Sequence, residues 1–318
     1  MSRGHPLVGS PTPGHATRRH VNAITLLGAV ISLYAAAPLR GQDVQPQVYT
    51  PAPIGISVIA AAYTFSTGPV LFDKTIPIEG AVGDIHAIAL SYSRAVGILG
   101  RATRVDVVLP YVFGNWEGDV IRDTRTRSLS GLGDPVLRLV IALRGAPALR
   151  PADFSSFRPG TIVGLTLRTG VPAGQYDPTN LINLGSNRWW FGPQLGISRV
   201  SGPMLFEAYA GARFFQPNDE FLGNQTLTQA GLYTFQAHAI YRFRPGLWLA
   251  ASSRQSLGGA TAVNGGDRAS PEANNRIGVT LVVPLGARYA LRVAATTGLT
   301  ATIGNDYTSY VIAFSSVF

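Results

Sequence analysis

The sequence contains no cysteine, few charged residues and no long apolar run after its first 41 residues. The absence of cysteine excludes disulfides, thiolate metal ligands and cysteine nucleophiles. Charged residues make up 14% of the chain, against about 25% in a typical soluble domain. Hydrophobic residues nevertheless make up 46%, and no stretch after residue 41 has the roughly 20 apolar residues of a spanning helix. The apolar residues are therefore distributed over many short segments.

The amino-terminal segment has the pattern of a secretory signal peptide. Arg18 and Arg19 precede an apolar stretch over residues 23–37, and small residues follow it. This stretch is short for a spanning helix, so a single membrane anchor is the weaker alternative. The cleavage position stays open. We predict a signal peptide at 1–41, a short periplasmic lead-in at 42–53 and an outer-membrane β-barrel at 54–318.

Apolar residues alternate with polar ones along much of the remaining chain. Val105, Val107 and Leu109 share one face of a predicted strand, and Arg104 and Asp106 share the other. Segments of about 9–11 residues with this period are typical of tilted strands that cross an outer membrane. Twelve such strands are predicted near residues 54–66, 84–94, 101–113, 134–144, 159–170, 187–199, 203–215, 229–243, 246–257, 274–284, 287–297 and 307–318.

The connections between these strands alternate in length. Those near 97, 201–202, 244–246 and 285–286 are short, those between them are longer, and 145–158 breaks the rule. Short periplasmic turns and long extracellular loops are typical of outer-membrane barrels. The last strand carries Tyr310, Ile312 and Phe314 and ends in Phe318, a pattern similar to the assembly signal of such barrels. We predict an all-β, antiparallel up-and-down transmembrane barrel of about 12 strands, with ten or fourteen as alternatives.

Four short motifs occur in an order that resembles a known family. They are Ser130 to Asp134, Thr169 to Asp177, Asn187 with Trp189 and Trp190, and Gly258 to Gly265. Together they resemble the "MetA-pathway of phenol degradation" family over roughly residues 80–318. The resemblance implies a barrel-forming outer-membrane transporter associated with the catabolism of aromatic compounds, and it implies no catalytic residue.

The predicted inward faces carry many more arginines than acids. Fixed positive charge in a narrow pore attracts anions, and the planar guanidinium suits carboxylates. The alternative is that arginines and acids pair in a structural ladder that fills the barrel. Arg254 and Arg288 are also predicted to face inward. The predicted pore-lining residues are Arg104, Asp106, Asp134, Arg138, Arg168, Glu207, Arg213, Gln236, His238, Arg242, Arg276 and Arg292.

Other functional classes find little support. His238 lies one predicted strand from Ser252 or Ser253, but no GxSxG motif accompanies them, so we predict no enzyme and no catalytic residue. We also predict no metal site and no cofactor. The net charge of +9 comes without a basic run or a nucleic-acid-binding motif, so no nucleic-acid partner is expected. Residues 169–177 favour an ordinary surface loop over an inward-folded constriction.

The sequence therefore predicts a porin-like channel or transporter in the bacterial outer membrane. Its expected role is the passive uptake of small molecules, with aromatic or anionic compounds as candidates. The alternative is a non-transporting structural or surface barrel with a charge-filled lumen. The expected partners are outer-membrane lipid, the barrel assembly machinery through Phe318, and a small-molecule solute.

Overall fold

A computed structural model of the protein describes residues 44–71, 78–120, 123–180, 182–301 and 304–318. The described chain is a closed, antiparallel β-barrel. Its first strand pairs with the second strand on one side and with the last strand on the other, which closes the sheet. Twelve strands of the described chain form the wall, in agreement with the number predicted from the sequence. The predicted signal peptide lies outside the described residues.

Each predicted strand has a counterpart, and several are longer than predicted. The barrel strands are β1 (Ser57–Leu71), β2 (Ile78–Ile98), β3 (Arg101–Val120), β5 (Val136–Arg144), β6 (Thr161–Gly170), β7 (Trp190–Ser201), β8 (Met204–Phe215), β11 (Leu232–Arg244), β12 (Leu247–Gly258), β14 (Glu272–Leu285), β15 (Tyr289–Thr300) and β17 (Thr308–Val317). The remaining strands are β4 (Asp123–Leu132), β9 (Asn218–Phe221), β10 (Gln225–Gln229), β13 (Thr261–Val263) and β16 (Gly304–Asn305).

The barrel closes between its first and last strands. Ten consecutive residue pairs join β1 to β17, from Val58 with Val317 to Thr67 with Thr308. Ser57 and Phe318 add two backbone hydrogen bonds of 2.9 and 3.0 Å. Closure satisfies the backbone groups of both edge strands, which lipid cannot do.

The two faces of the wall differ as the sequence alternation predicts. On β11, Tyr233, Phe235 and Tyr241 are exposed on the outer face, whereas Gln236 and His238 are buried on the inner face. An exposed apolar face around a whole barrel matches contact with lipid. In the described part of the chain, no helix is long and apolar enough to cross a membrane.

The turns at one end of the barrel are short, and the other end carries extra structure. Leu99 and Gly100 form the turn between β2 and β3, and both have positive φ angles (49° and 72°), as a two-residue hairpin turn requires. The longer connection 145–160 contains a four-residue helix, α1 (Pro151–Phe154). At the opposite, extracellular end, β4 extends the β3 hairpin, and β9, β10 and β13 form a small separate sheet.

Residues 44–53, which we call the lumen segment, lie differently from the periplasmic lead-in that we expected. Val44, Val48, Tyr49 and Ala52 are all buried. The segment's hydrogen-bond partners are inward-facing side chains of the barrel wall. The lumen segment therefore lies inside the barrel.

Candidate functional site

The backbone of the lumen segment binds to buried side chains of β8. The amide of Gln47 donates a hydrogen bond of 2.6 Å to Oε2 of Glu207. The next amide, that of Val48, donates to the hydroxyl of Tyr209 at 3.2 Å. Ser198 on β7 donates to the other oxygen of Glu207 at 3.0 Å. Because Glu207 is only 4% exposed, these donors replace the water that a buried carboxylate would lose.

Tyr49 fixes the same segment against β6 and β7. Its ring packs over Gly164 and Gly196, two glycines that face each other across the strand pair. A Cβ atom on either glycine would overlap this ring. The hydroxyl of Tyr49 donates to the carbonyl of Gln194 at 3.2 Å and accepts from Thr166 at 3.1 Å. The two glycines therefore form a flat seat for one aromatic side chain.

A buried ion-pair cluster holds the other side of the lumen segment. Asp106 is 1% exposed and accepts from Nε of Arg104 at 2.9 Å and from Nε of Arg138 at 2.5 Å. Arg104 also donates to the carbonyl of Val48 at 3.3 Å, and Arg138 donates to Oε1 of Gln45 at 2.6 Å. These two arginines therefore pair with an acid inside the barrel, as the alternative interpretation of the inward arginines predicted.

The opposite part of the wall, from β11 to β15, carries a second group of inward cations. Arg254 on β12 faces Arg276 on β14 across the strand pair, and Arg292 follows on β15. Arg276 donates to the carbonyl of Tyr307 at 2.6 Å. Glu272 lies near Arg254 and is hydrogen-bonded to the side chains of Asn274 and Ser256. At its periplasmic end, this wall shares a buried apolar cluster with Ala52 of the lumen segment.

His238 lies on β11 beside this group. Its Nδ1 is 2.8 Å from Oγ of Ser252. Within the described residues, Nε2 of His238 is buried without a hydrogen-bond partner. A serine hydrolase would need an acid at that nitrogen to orient the ring. The pair therefore lacks the geometry of a catalytic triad in the described chain.

The loop of residues 171–189, which we call the mouth loop, folds into the extracellular end of the barrel. Asp134 accepts from the amides of Gly174 (3.1 Å) and Ser186 (2.8 Å) and from the hydroxyl of Ser186. Leu184 is buried against inward residues of the first three strands. Its cluster contains Val70, Ala81, Ala87, Val112, Trp116 and Tyr307. The expectation of an ordinary surface loop was therefore wrong, because apolar groups on the inner wall give Leu184 a place to bury.

The exposed tip of the mouth loop is ordered by local hydrogen bonds. The hydroxyl and the amide of Thr179 both donate to Oδ1 of Asp177, at 2.6 and 2.9 Å. The hydroxyl bond is the main cause that lowers the pKa of the Asp177 carboxyl. The amide of Asp177 in turn donates to Oδ1 of Asn183 at 2.9 Å, so the tip forms one compact turn.

The remaining predicted residues also lie on the inner face. Arg168 donates to Oε1 of Gln194 at 3.2 Å, and the guanidinium of Arg213 lies 4.2 Å from the ring centre of Trp190. Arg242 lies at the periplasmic end and donates to the carbonyls of Gly202 (2.8 Å) and Pro203 (3.4 Å). Gln236 is buried beside them on β11. Arg288, by contrast, lies exposed in the turn before β15 rather than inside the barrel.

The periplasmic end of the lumen is apolar, which the sequence interpretation missed. Inward-facing apolar side chains from eight strands of the described wall form one buried cluster. It contains Ala52, Val58, Ala95, Leu205, Ile240, Trp248, Ala250, Val282, Ala290 and Val317. The sequence carried one signal for this layer, because apolar and polar residues cease to alternate at these strand ends. Leu247, Trp248 and Leu249, for example, are three consecutive apolar residues.

Among described residues, no three His, Cys, Asp or Glu side chains lie close enough to hold a metal ion. The inner surface instead has three layers. The mouth loop closes on an apolar cluster, charged and polar groups fill the middle with the lumen segment, and an apolar layer follows at the periplasmic end.

Comparison with solved structures identifies the same fold elsewhere. The COG4313 outer membrane channel from Pseudomonas putida F1 superposes with a TM-score of 0.70 at 20% identity, over 87% of this chain and 100% of that one. The beta domain of the Bordetella autotransporter BrkA gives a TM-score of 0.49 at 11% identity, over 83% and 99% of the two chains. The first of these comparisons shows that the fold is that of an outer-membrane barrel.

Comparison of the sequence with curated proteins and with family models gave two results. No curated protein matches the chain. A family model described as "Putative MetA-pathway of phenol degradation" matches residues 79–305, which is more than half of the sequence. This match agrees with the resemblance seen in the four short motifs, and the chain belongs to that family.

Proposed function

We propose that the protein is a narrow, anion-preferring channel for small molecules in the outer membrane. The proposed passage follows the inner face of the wall formed by β11, β12, β14 and β15. The observation that carries the proposal is the row of buried, inward arginines on one half of the wall. Arg104 and Arg138 bind Asp106 and the lumen segment, whereas Arg254, Arg276 and Arg292 form this row.

A further inward arginine supports the same path near the mouth. Arg213 lies on β8, stacked on Trp190. A row of fixed positive charges along one wall raises the local concentration of anions and lowers that of cations.

The chemistry of the row favours carboxylates among small anions. A planar guanidinium can donate two parallel hydrogen bonds to one carboxylate group. Small organic acids, aromatic ones included, are therefore the solutes that we propose.

Single-channel current in a planar lipid bilayer tests the proposal. We expect discrete current steps and, across a salt gradient, a reversal potential that shows anion preference. The double substitution Arg276→Gln with Arg292→Gln should shift that reversal potential toward zero, the value of a channel without ion selectivity. Arg288→Gln is the matched control, because Arg288 is an exposed arginine in the turn before β15. Absence of current from folded, inserted protein would favour the alternative of a filled structural barrel, and cation preference would contradict the role of the arginine row.

A further inference from the structure

A cavity of about 390 Å³ lies at the periplasmic end of the lumen. Its walls come from the lumen segment on one side and from β6, β7, β8, β11 and β12 with their turns on the other. Most of the lining is apolar, including Pro51, Ile162, Val200, Pro203, Leu205 and Trp248. This volume falls within the range of about 300–1,000 Å³ that is typical of small-molecule pockets. The cavity lies where the proposed passage leaves the barrel.

Two buried side chains of the lining have polar atoms without a protein partner. Trp248 is 4% exposed and Gln47 is 5% exposed. Within the described residues, neither Nε1 of Trp248 nor Nε2 of Gln47 donates a hydrogen bond. Buried donors without an acceptor are rare in folded proteins, because burial removes their hydrogen bonds to water without a replacement. Both donors therefore favour a ligand that brings an acceptor.

The charge of the lining points to the same kind of ligand. Arg242 and Arg244 belong to the lining, and none of the lining residues is acidic. Arg242 is held by the carbonyls of Gly202 and Pro203. In the described ranges, neither arginine forms an ion pair with an acidic side chain. Glu207 is the buried acid that binds the lumen segment, and it already accepts hydrogen bonds from Gln47 and Ser198.

We propose that this cavity is a binding site for a small carboxylate with a compact apolar body. The apolar body lies against Leu205 and the ring of Trp248, and the carboxylate accepts from Nε1 of Trp248, from the Gln47 side chain and from the arginines at the rim. The inference rests on the proposed function, since it names the class of solute that pauses at the exit of the passage. It also predicts a measurable affinity, which a plain water-filled channel does not require.

Titration of the full chain in detergent micelles with 4-fluorobenzoate, followed by ¹⁹F NMR, tests the site. We expect saturable binding. Trp248→Phe keeps an aromatic ring but removes the donor, and Gln47→Leu keeps the size but removes the amide. Each should weaken binding by about five-fold, the effect of one lost hydrogen bond of ordinary strength. Arg244→Gln should weaken binding of 4-fluorobenzoate by a similar factor, with little effect on the neutral probe 4-fluorobenzyl alcohol.

Trp189→Phe is the matched control, because Trp189 is 38% exposed and stacks on Phe191 outside the cavity. It should bind the probe as the unaltered protein does. Lack of saturable binding by folded protein would overturn the site, as would unchanged affinity in both Trp248→Phe and Gln47→Leu. Conductance of the same preparations separates the two proposals. A conducting protein that does not bind the probe contradicts only the site, and a binding protein without current contradicts only the channel.

Discussion

The carboxylate of Glu207 accepts a hydrogen bond from the backbone amide of Gln47, across 160 residues of sequence. Glu207 also accepts from Ser198 and is hydrogen-bonded to the hydroxyl of Tyr209. One buried acid thus joins the lumen segment to two neighbouring barrel strands. Because the contact uses a backbone amide, it depends little on which side chains the lumen segment carries.

We expect Glu207→Ala to loosen the lumen segment and to increase the mean single-channel conductance and its noise. The substitution leaves the amide of Gln47 and the hydroxyl of Ser198 without their acceptor. A buried donor left unsatisfied costs roughly 1–3 kcal/mol, so a lower free energy of unfolding should accompany the change in current. Glu117→Ala is the control, because Glu117 is exposed on the outer face of β3. An unchanged current in folded Glu207→Ala protein would mean that this bond does not restrict the passage.

Gly196→Ala tests the second attachment of the lumen segment, the seat of Tyr49. A Cβ at this position would overlap the Tyr49 ring and come within 2.6 Å of the Tyr209 ring. We expect the ring of Tyr49 to leave its seat, and the conductance to rise as it does for Glu207→Ala. Gly160→Ala is a matched control, since a Cβ there meets no atom within 4 Å. Equal currents in both alanine variants would argue that Tyr49 does not occlude the lumen.

The wall of the barrel was predictable from the sequence, because its causes are local. Lipid on one face imposes a period of two, as in Val105, Val107 and Leu109, and short turns such as that at Gly100 fix which strands are neighbours. These signals require no knowledge of distant contacts. All twelve predicted strands have counterparts in the fold for this reason.

The contents of the lumen were not predictable in the same way. Residues 44–53 are short, polar and rich in proline, and nothing in that pattern distinguishes a segment outside the barrel from one inside it. Its place is set by partners that are distant in sequence. Glu207 binds the amide of Gln47, and Arg104, which Asp106 holds, binds the carbonyl of Val48. The inward glycines at 164 and 196 were a signal, since two facing gaps in the wall leave room for one large side chain.

Asp106→Asn should change both stability and selectivity. The acid lies between Arg104 and Arg138, and all three side chains are largely buried. Removing one partner of a buried ion pair leaves uncompensated charge and costs roughly 3–5 kcal/mol. We expect a lower free energy of unfolding in urea and, because a fixed negative charge is lost, a reversal potential shifted toward stronger anion preference.

Asp123→Asn is the control for that variant. Asp123 pairs with Arg125 at 3.8 Å on the surface, and both side chains are mostly exposed. Exposed pairs of this kind contribute at most about 1 kcal/mol. A loss of stability in Asp106→Asn no larger than in Asp123→Asn would show that the Asp106 cluster is not what secures the lumen segment.

Asp134→Ala should release the mouth loop while leaving the lumen segment in place. Asp134 accepts three hydrogen bonds from Gly174 and Ser186, and a Cβ on Gly174 would come within 2.7 Å of the Asp134 backbone, so the contact is close as well as polar. Loss of the carboxylate frees the loop near both residues, and Leu184 then leaves its apolar cluster more often. We expect brief current steps of larger amplitude and faster cleavage by an added protease between residues 171 and 189. Asp267→Ala, in another extracellular loop, should show neither effect. Faster cleavage without a change in current would place the mouth loop beside the passage rather than across it, and the row of arginines would then be the main determinant of conductance.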